Sequence, residues 1–152
     1  MLVSLRGFYN HFESKEALAQ EAIASAWQAM ARERQRASNL RVLLTAYLSK
    51  RARNAPGKTC PAAALAGDVA RQSSALQSSF ADGLEGMIQS VSEHLQGDPA
   101  SVRKQALGLV TRMVGALILS RAVPAASHLA DELLDTNREA ALAELGDLIR
   151  QT

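Results

Sequence analysis

The chain has 152 residues, of which 47% are hydrophobic but only 4% aromatic; that length supports one substantial core, and a balance of this kind, led by alanine and leucine, belongs to packed helices and not to strands. The net charge of +2 is unevenly placed, because the segment up to Lys58 holds ten basic residues against four acids and the remainder is net negative, a pattern that suits a polyanion at one end. A single cysteine, Cys60, excludes an internal disulfide framework and fits a reducing cytoplasm.

In chain order, the first feature is the run Gly7-Phe8-Tyr9-Asn10-His11-Phe12-Glu13-Ser14-Lys15-Glu16-Ala17-Leu18. Phe8 and Phe12 stand four apart, so they share one helical face. Ser4 fits the N-cap of a short helix that contains them. Ser14 fits the N-cap of the next, with Glu16 at its positive end. That second helix is predicted from Ser14 to about Arg36, with Leu18, Ala22, Ile23, Ala26, Trp27 and Met30 as its apolar stripe. Arg32-Glu33-Arg34-Gln35-Arg36 reads as its solvated end. Ser38 is the expected cap of a helix running to about Arg53, with Leu40, Leu43, Leu44, Tyr47 and Leu48 inward. Asn54-Ala55-Pro56-Gly57 has the chemistry of a loop.

A further helix is expected from Cys60, with Pro61 in its first turn, to about Gln72. Ser73 or Ser74 caps the next, which carries Leu76, Phe80, Leu84, Met87, Ile88, Val91 and Leu95 and has Gly97 at its C-cap. Asp98-Pro99 then opens a helix to about Val123 that is apolar nearly all round. Such a helix must be covered on most sides. Gly108, Gly115 and Ala122 recur along it every seven residues, a narrow seam where a second helix can approach. Its central stretch contains Arg112 and Arg121 and is short for a membrane span, and no segment resembles a signal peptide. A last helix starts near Ser127 and carries Leu129, Leu133, Leu134, Ala141, Leu145, Leu148 and Ile149. The expectation is an all-α, cytoplasmic protein without membrane association.

The Phe-Tyr-x-His-Phe-x-Ser-Lys-Glu-Ala-Leu run resembles the end of the helix-turn-helix of the TetR family of bacterial transcriptional regulators. The likeness is sharp over residues 3–23. Further on, Cys60-Pro61-Ala62-Ala63-Ala64-Leu65 with Val69-Ala70-Arg71-Gln72-Ser73 is similar to a body variant of that family, and Met113 to Val123 to its penultimate, dimerising helix. The chain departs from the pattern at Leu2, where the turn glycine belongs, and at Arg6, where a glycine is frequent. In the family two further helices precede the run, whereas here only Met1 to Arg6 do. The resemblance therefore implies a TetR-like helical bundle in which residues 1–35 are the remnant of a DNA-binding head and residues 36–152 form a ligand-binding and dimerisation domain.

By the same resemblance, Ser4, Arg6, Tyr9, Asn10, His11 and Lys15 are the DNA-contact positions, with Tyr9, His11 and Lys15 suited to phosphate oxygens. Without the two helices that hold the recognition helix at its angle, binding to double-stranded DNA is expected to be impaired and without sequence preference. A small hydrophobic effector is expected among Trp27, Met30, Tyr47, Cys60, Leu65, Phe80, Leu84, Met87, Met113 and Leu117, large and flexible side chains on several helices. Any one of them also serves as plain core. Cys60 reads either as a sensor thiol, with Lys58, Thr59 and a helix N-terminus beside it, or as a buried inert one. A homodimer is expected through Gly108, Arg112, Gly115, Leu119, Ala122, Leu134, Ala141 and Leu145. The function implied is a regulator, a repressor in the commonest form, released from DNA by its effector. The alternative is a DNA-independent helical dimer, acting as an orphan ligand-binding module or as a dominant-negative partner. His11, His94 and His128 are scattered, and no metal-ligand spacing, phosphate loop or nucleophile–base pair appears, so neither an enzyme nor a cofactor is expected.

Overall fold

The computed structural model describes residues 14–58 and 60–150, and among these it contains seven α-helices and no strand. Helix α1 (Lys15–Gln35) begins where Ser14 accepts a hydrogen bond from the Ala17 amide at 3.0 Å. The Ser73 hydroxyl bonds the Glu16 carboxylate, tying the start of α1 to the start of a later helix. Ile23 and Trp27 are the residues that α1 buries.

The single helix expected from Ser38 to Arg53 is two. Helix α2 (Leu40–Tyr47) is capped by Asn39 and not by Ser38, its side chain accepting from the Val42 amide at 3.0 Å. The chain breaks at Leu48, and Ser49 caps the short α3 (Lys50–Arg53) through the Ala52 amide at 3.1 Å. A serine side chain that bonds a nearby amide competes with continuation of a helix. The carbonyl freed at Leu48 receives a hydrogen bond from Arg138 at 2.9 Å. Arg121 donates to the carbonyls of Ala52 and Arg53 at 2.8 and 3.2 Å. Arg138 of the last helix thus holds the break itself, and Arg121 holds the far end of α3.

A 3₁₀ turn (Pro56–Lys58) leads to α4 (Pro61–Val69), which stops three residues before the expected Gln72. The amides of Arg71 and Gln72 turn back to Asp68 and Val69, and Gln77 donates to the carbonyls of Ala70 and Gln72. Ser73 caps α5 (Ser74–Ser92). Gly97 lies beyond the end of α5 and is not its C-cap residue; its φ of 136° turns the chain toward Asp98. Asp98 caps α6 (Pro99–Ala122), and α7 (His128–Arg150) follows.

Helix α6 is the centre of the bundle. It packs on α5, α7 and α4 and touches α2 and α3, while α1 lies on α5. Leu109, Met113 and Leu117 of α6 are fully buried together with Leu44, Leu48, Met87 and Leu134. Each such side chain contributes roughly 1.5–3 kcal/mol over its exposed state.

The buried guanidinium of Arg53 pairs with Asp131 of α7 at 2.8 Å, and Lys50 adds a second contact at 2.7 Å. Hydrogen bonds from Lys50 and Arg53 hold the Asp131 carboxyl below its ordinary range. A carboxylate with a lowered folded value stabilises fully above the ordinary range, and that contribution is lost as pH falls through the lowered value. Asp131→Asn should therefore melt below the parent at neutral pH, because Arg53 is left as a buried unpaired charge. The gap should close at strongly acid pH. Thermal melts across pH check this, and an equal gap at both ends would contradict it.

Candidate functional site

The far half of α1 presents Trp27, Met30 and Arg34 along one face, at spacings of three and four residues. Trp27 is 6% exposed and meets Phe80 of α5 edge-to-face, with ring centroids 5.6 Å apart. This approach depends on Gly83, one turn beyond Phe80, since a Cβ there would collide with the indole ring. Tyr47 comes from the end of α2 and Cys60 from the entry to α4. The Cys60 sulfur lies 3.8 Å from that of Met87. All ten expected effector residues belong to the hydrophobic core of the bundle. Trp27, Tyr47, Cys60, Met87, Met113 and Leu117 are buried in it, and Met30, Leu65, Phe80 and Leu84 pack against them.

One polar group approaches this core that was not expected there. Arg34, placed by its sequence neighbours at a solvated helix end, has its Nε and Nη1 atoms buried without a hydrogen-bond partner. The same holds for the indole nitrogen of Trp27 and the hydroxyl of Tyr47. Burial pushes the Tyr47 phenol well above its usual range, the neighbouring Cys60 adds to the rise, and Arg121 and Arg34 oppose it. Burial also lowers the Arg34 guanidinium, against the opposing influence of Cys60 and Tyr47. One signal was present in the sequence: seven residues after Trp27, Arg34 returns to the same face of α1, a spacing that permits burial without deciding it.

Cys60 is 1% exposed and sealed inside the cluster. That burial favours the inert reading of the thiol, because a sensor needs access to its reagent. A surface groove of about 400 Å³ between α2 and α7, lined by Arg41, Val42, Thr45, Ala46 and Leu142, contains none of the expected effector residues.

The dimer positions divide. Gly108, Leu119 and Ala122 are exposed on α6, and Arg112 and Gly115 are partly so. Arg112 pairs with Glu144 of α7 at 2.6 Å. Leu134, Ala141 and Leu145 are 1%, 0% and 5% exposed within the single chain. They are core residues of the protomer, correcting their assignment to an interface, because α7 uses that face to pack on α6. Of the positions expected to contact DNA, Lys15 is the exposed first residue of α1. Ser4, Arg6, Tyr9, Asn10 and His11 lie outside the described residues.

No protein-family model matches the chain, and no curated protein matches it. Among the described residues no group of three or more His, Cys, Asp and Glu side chains could hold a metal ion, and no helix is long and apolar enough to cross a membrane.

Proposed function

We propose that the protein is a TetR-like transcriptional regulator that receives a small effector among α1, α2, α4, α5 and α6 and acts as a homodimer. The observation that carries this reading is the course of α1. This single helix, roughly 30 Å long, begins with Ser14-Lys15-Glu16-Ala17-Leu18, the end of the helix-turn-helix resemblance. Its other half carries Trp27 and Arg34 into the core cluster. An effector that displaces Trp27 or Arg34 would tilt α1 and move whatever its first turn supports. A ligand acts only through a difference in its affinity for two states, and two tilts of α1 are the states this reading requires the effector to distinguish.

DNA binding tests the reading. Fluorescence anisotropy with the duplex upstream of its own gene, and with a scrambled duplex, should show affinity that falls steeply with salt. Lys15→Ala should weaken both alike, because a phosphate contact carries no sequence information. An absence of binding even at low salt would overturn the DNA-directed reading and leave a ligand-binding helical dimer.

A further inference from the structure

The cluster contains buried hydrogen-bond donors without acceptors, and this asymmetry points to the chemistry of its ligand. Of the five buried side-chain atoms lacking a partner among the described residues, four bear hydrogens: Arg34 Nε and Nη1, Tyr47 Oη and Trp27 Nε1. The fifth, the Gln105 oxygen, lies toward the other end of α6 from Arg121. Trp27 and Tyr47 are each more than nine-tenths buried. Arg34 is half-buried and so marks the end of the cluster nearest solvent. A buried donor without a partner costs free energy, and a guanidinium nitrogen costs more than a neutral one. No side-chain oxygen or nitrogen acceptor reaches these atoms, and the Cys60 thiol, the neighbour of the Tyr47 hydroxyl, accepts only weakly. A carboxylate is an acceptor-only group with about four lone-pair sites, so it complements this set. The surroundings fit the rest of such a molecule: two turns back along α1 lies the Trp27 ring, with the Phe80 ring of α5 against it and the Met87 thioether close to Cys60.

We propose that the effector is an amphipathic organic acid. Its anionic head is held by Arg34 and Tyr47, and its apolar body lies against Trp27 and Phe80. This rests on the effector-binding reading above and narrows it from an apolar compound to an anion. Arg121 of α6 reinforces the preference, since its guanidinium lies close enough to Tyr47 to favour negative charge at the phenol, while donating to the carbonyls of Ala52 and Arg53.

Trp27 is the only tryptophan of the chain, so its fluorescence reports occupancy. The full chain is titrated with octanoate, octyl phosphate and octanol, which share a tail and differ in the head. Octanoate should bind and raise the melting temperature, and octanol should bind at least tenfold more weakly. Arg34→Met should weaken octanoate by about tenfold to a hundredfold without lowering the melting temperature of the ligand-free protein, because it removes an unpaired buried charge. Tyr47→Phe should weaken octanoate by a smaller factor. Octyl phosphate binding more weakly than octanoate assigns the head as a carboxylate, and the reverse order assigns it as a phosphate; both uphold an anion. Octanol binding as tightly as octanoate, or an unchanged octanoate affinity in Arg34→Met, would overturn the anion and leave the effector reading in place. No response to any of the three would overturn both.

Discussion

Gly83→Ala is expected to destabilise the protein, and Gly86→Ala, three residues further along the same helix, to stabilise it. Both glycines sit within α5, where alanine is favoured by about 1 kcal/mol on propensity alone. At Gly86 an added Cβ meets nothing within 4 Å, so that gain is realised. At Gly83 the Cβ would overlap the Cγ, Cδ1 and Nε1 atoms of Trp27. A fused ring cannot bend away as the end of a lysine can, so either the indole leaves its rotamer or α1 and α5 move apart. Overpacking of a core costs about 1–3 kcal/mol and sometimes more, and the Trp27–Phe80 edge contact is worth a further ~0.5–1.5 kcal/mol. The net loss should be about 2 kcal/mol, which for a chain of this size lowers the melting temperature by roughly 4–8 °C. Trp27 emission should shift to the red as the ring meets solvent. Paired thermal melts and emission spectra check this. Equal melting temperatures for the two variants would show that α1 does not pack on α5 as described.

Gly115→Leu is expected to leave the protomer folded and to break its self-association. The outer face of α6 carries Leu107, Gly108, Thr111, Gly115, Ile118, Leu119 and Ala122. Leu107, Ile118 and Leu119 are 40%, 36% and 54% exposed. An added Cβ at Gly108 or Gly115 meets nothing within 4 Å. The protomer therefore has room for a side chain there, and a partner helix seated on that seam would not. In a two-fold dimer the same substitution enters the interface twice. At ~1–3 kcal/mol for each overpacked copy, the dissociation constant should rise by roughly one and a half to four decades. Sedimentation at micromolar concentration should find a dimer for the parent, as expected of an interface burying over ~2,000 Å². It should find a monomer of unchanged helicity for the variant. A parent that sediments as a monomer would remove the homodimer from the proposal.

Why α6 is apolar all round follows from these two surfaces. Its inner face, Ala106, Leu109, Val110, Met113, Ala116, Leu117 and Ser120, is consumed by the protomer's own core. The opposite face carries Leu107, Ile118 and Leu119 with small residues between them and has no cover among the described residues. Periodicity shows that both faces want burial and cannot say which neighbour covers which. The same limit explains Leu134, Ala141 and Leu145: an apolar stripe looks alike whether it meets its own chain or a second copy.

The helical class, the cap at Ser14, the Cys60-Pro61 and Asp98-Pro99 helix entries and the burial of the large apolar side chains were all legible from local chemistry. Each depends on residues within a few positions of one another, through N-cap geometry, proline at a first turn, or apolar spacing at three and four. The break at Leu48-Ser49 was not legible, because the carbonyl it frees is met by Arg138, about ninety residues away. Arg34 was misread for a related reason. Its neighbours Arg32 and Arg36 are exposed and charged, so composition made the whole segment a solvated end. Only the packing of α1 shows that one guanidinium of the three turns inward. Local sequence sets which segments can be helices and which faces are apolar, because those depend on backbone and side-chain preferences within a turn or two. Where a helix must break, which charge is buried and which apolar face stays open depend on atoms brought from other helices, and these the tertiary structure alone decides.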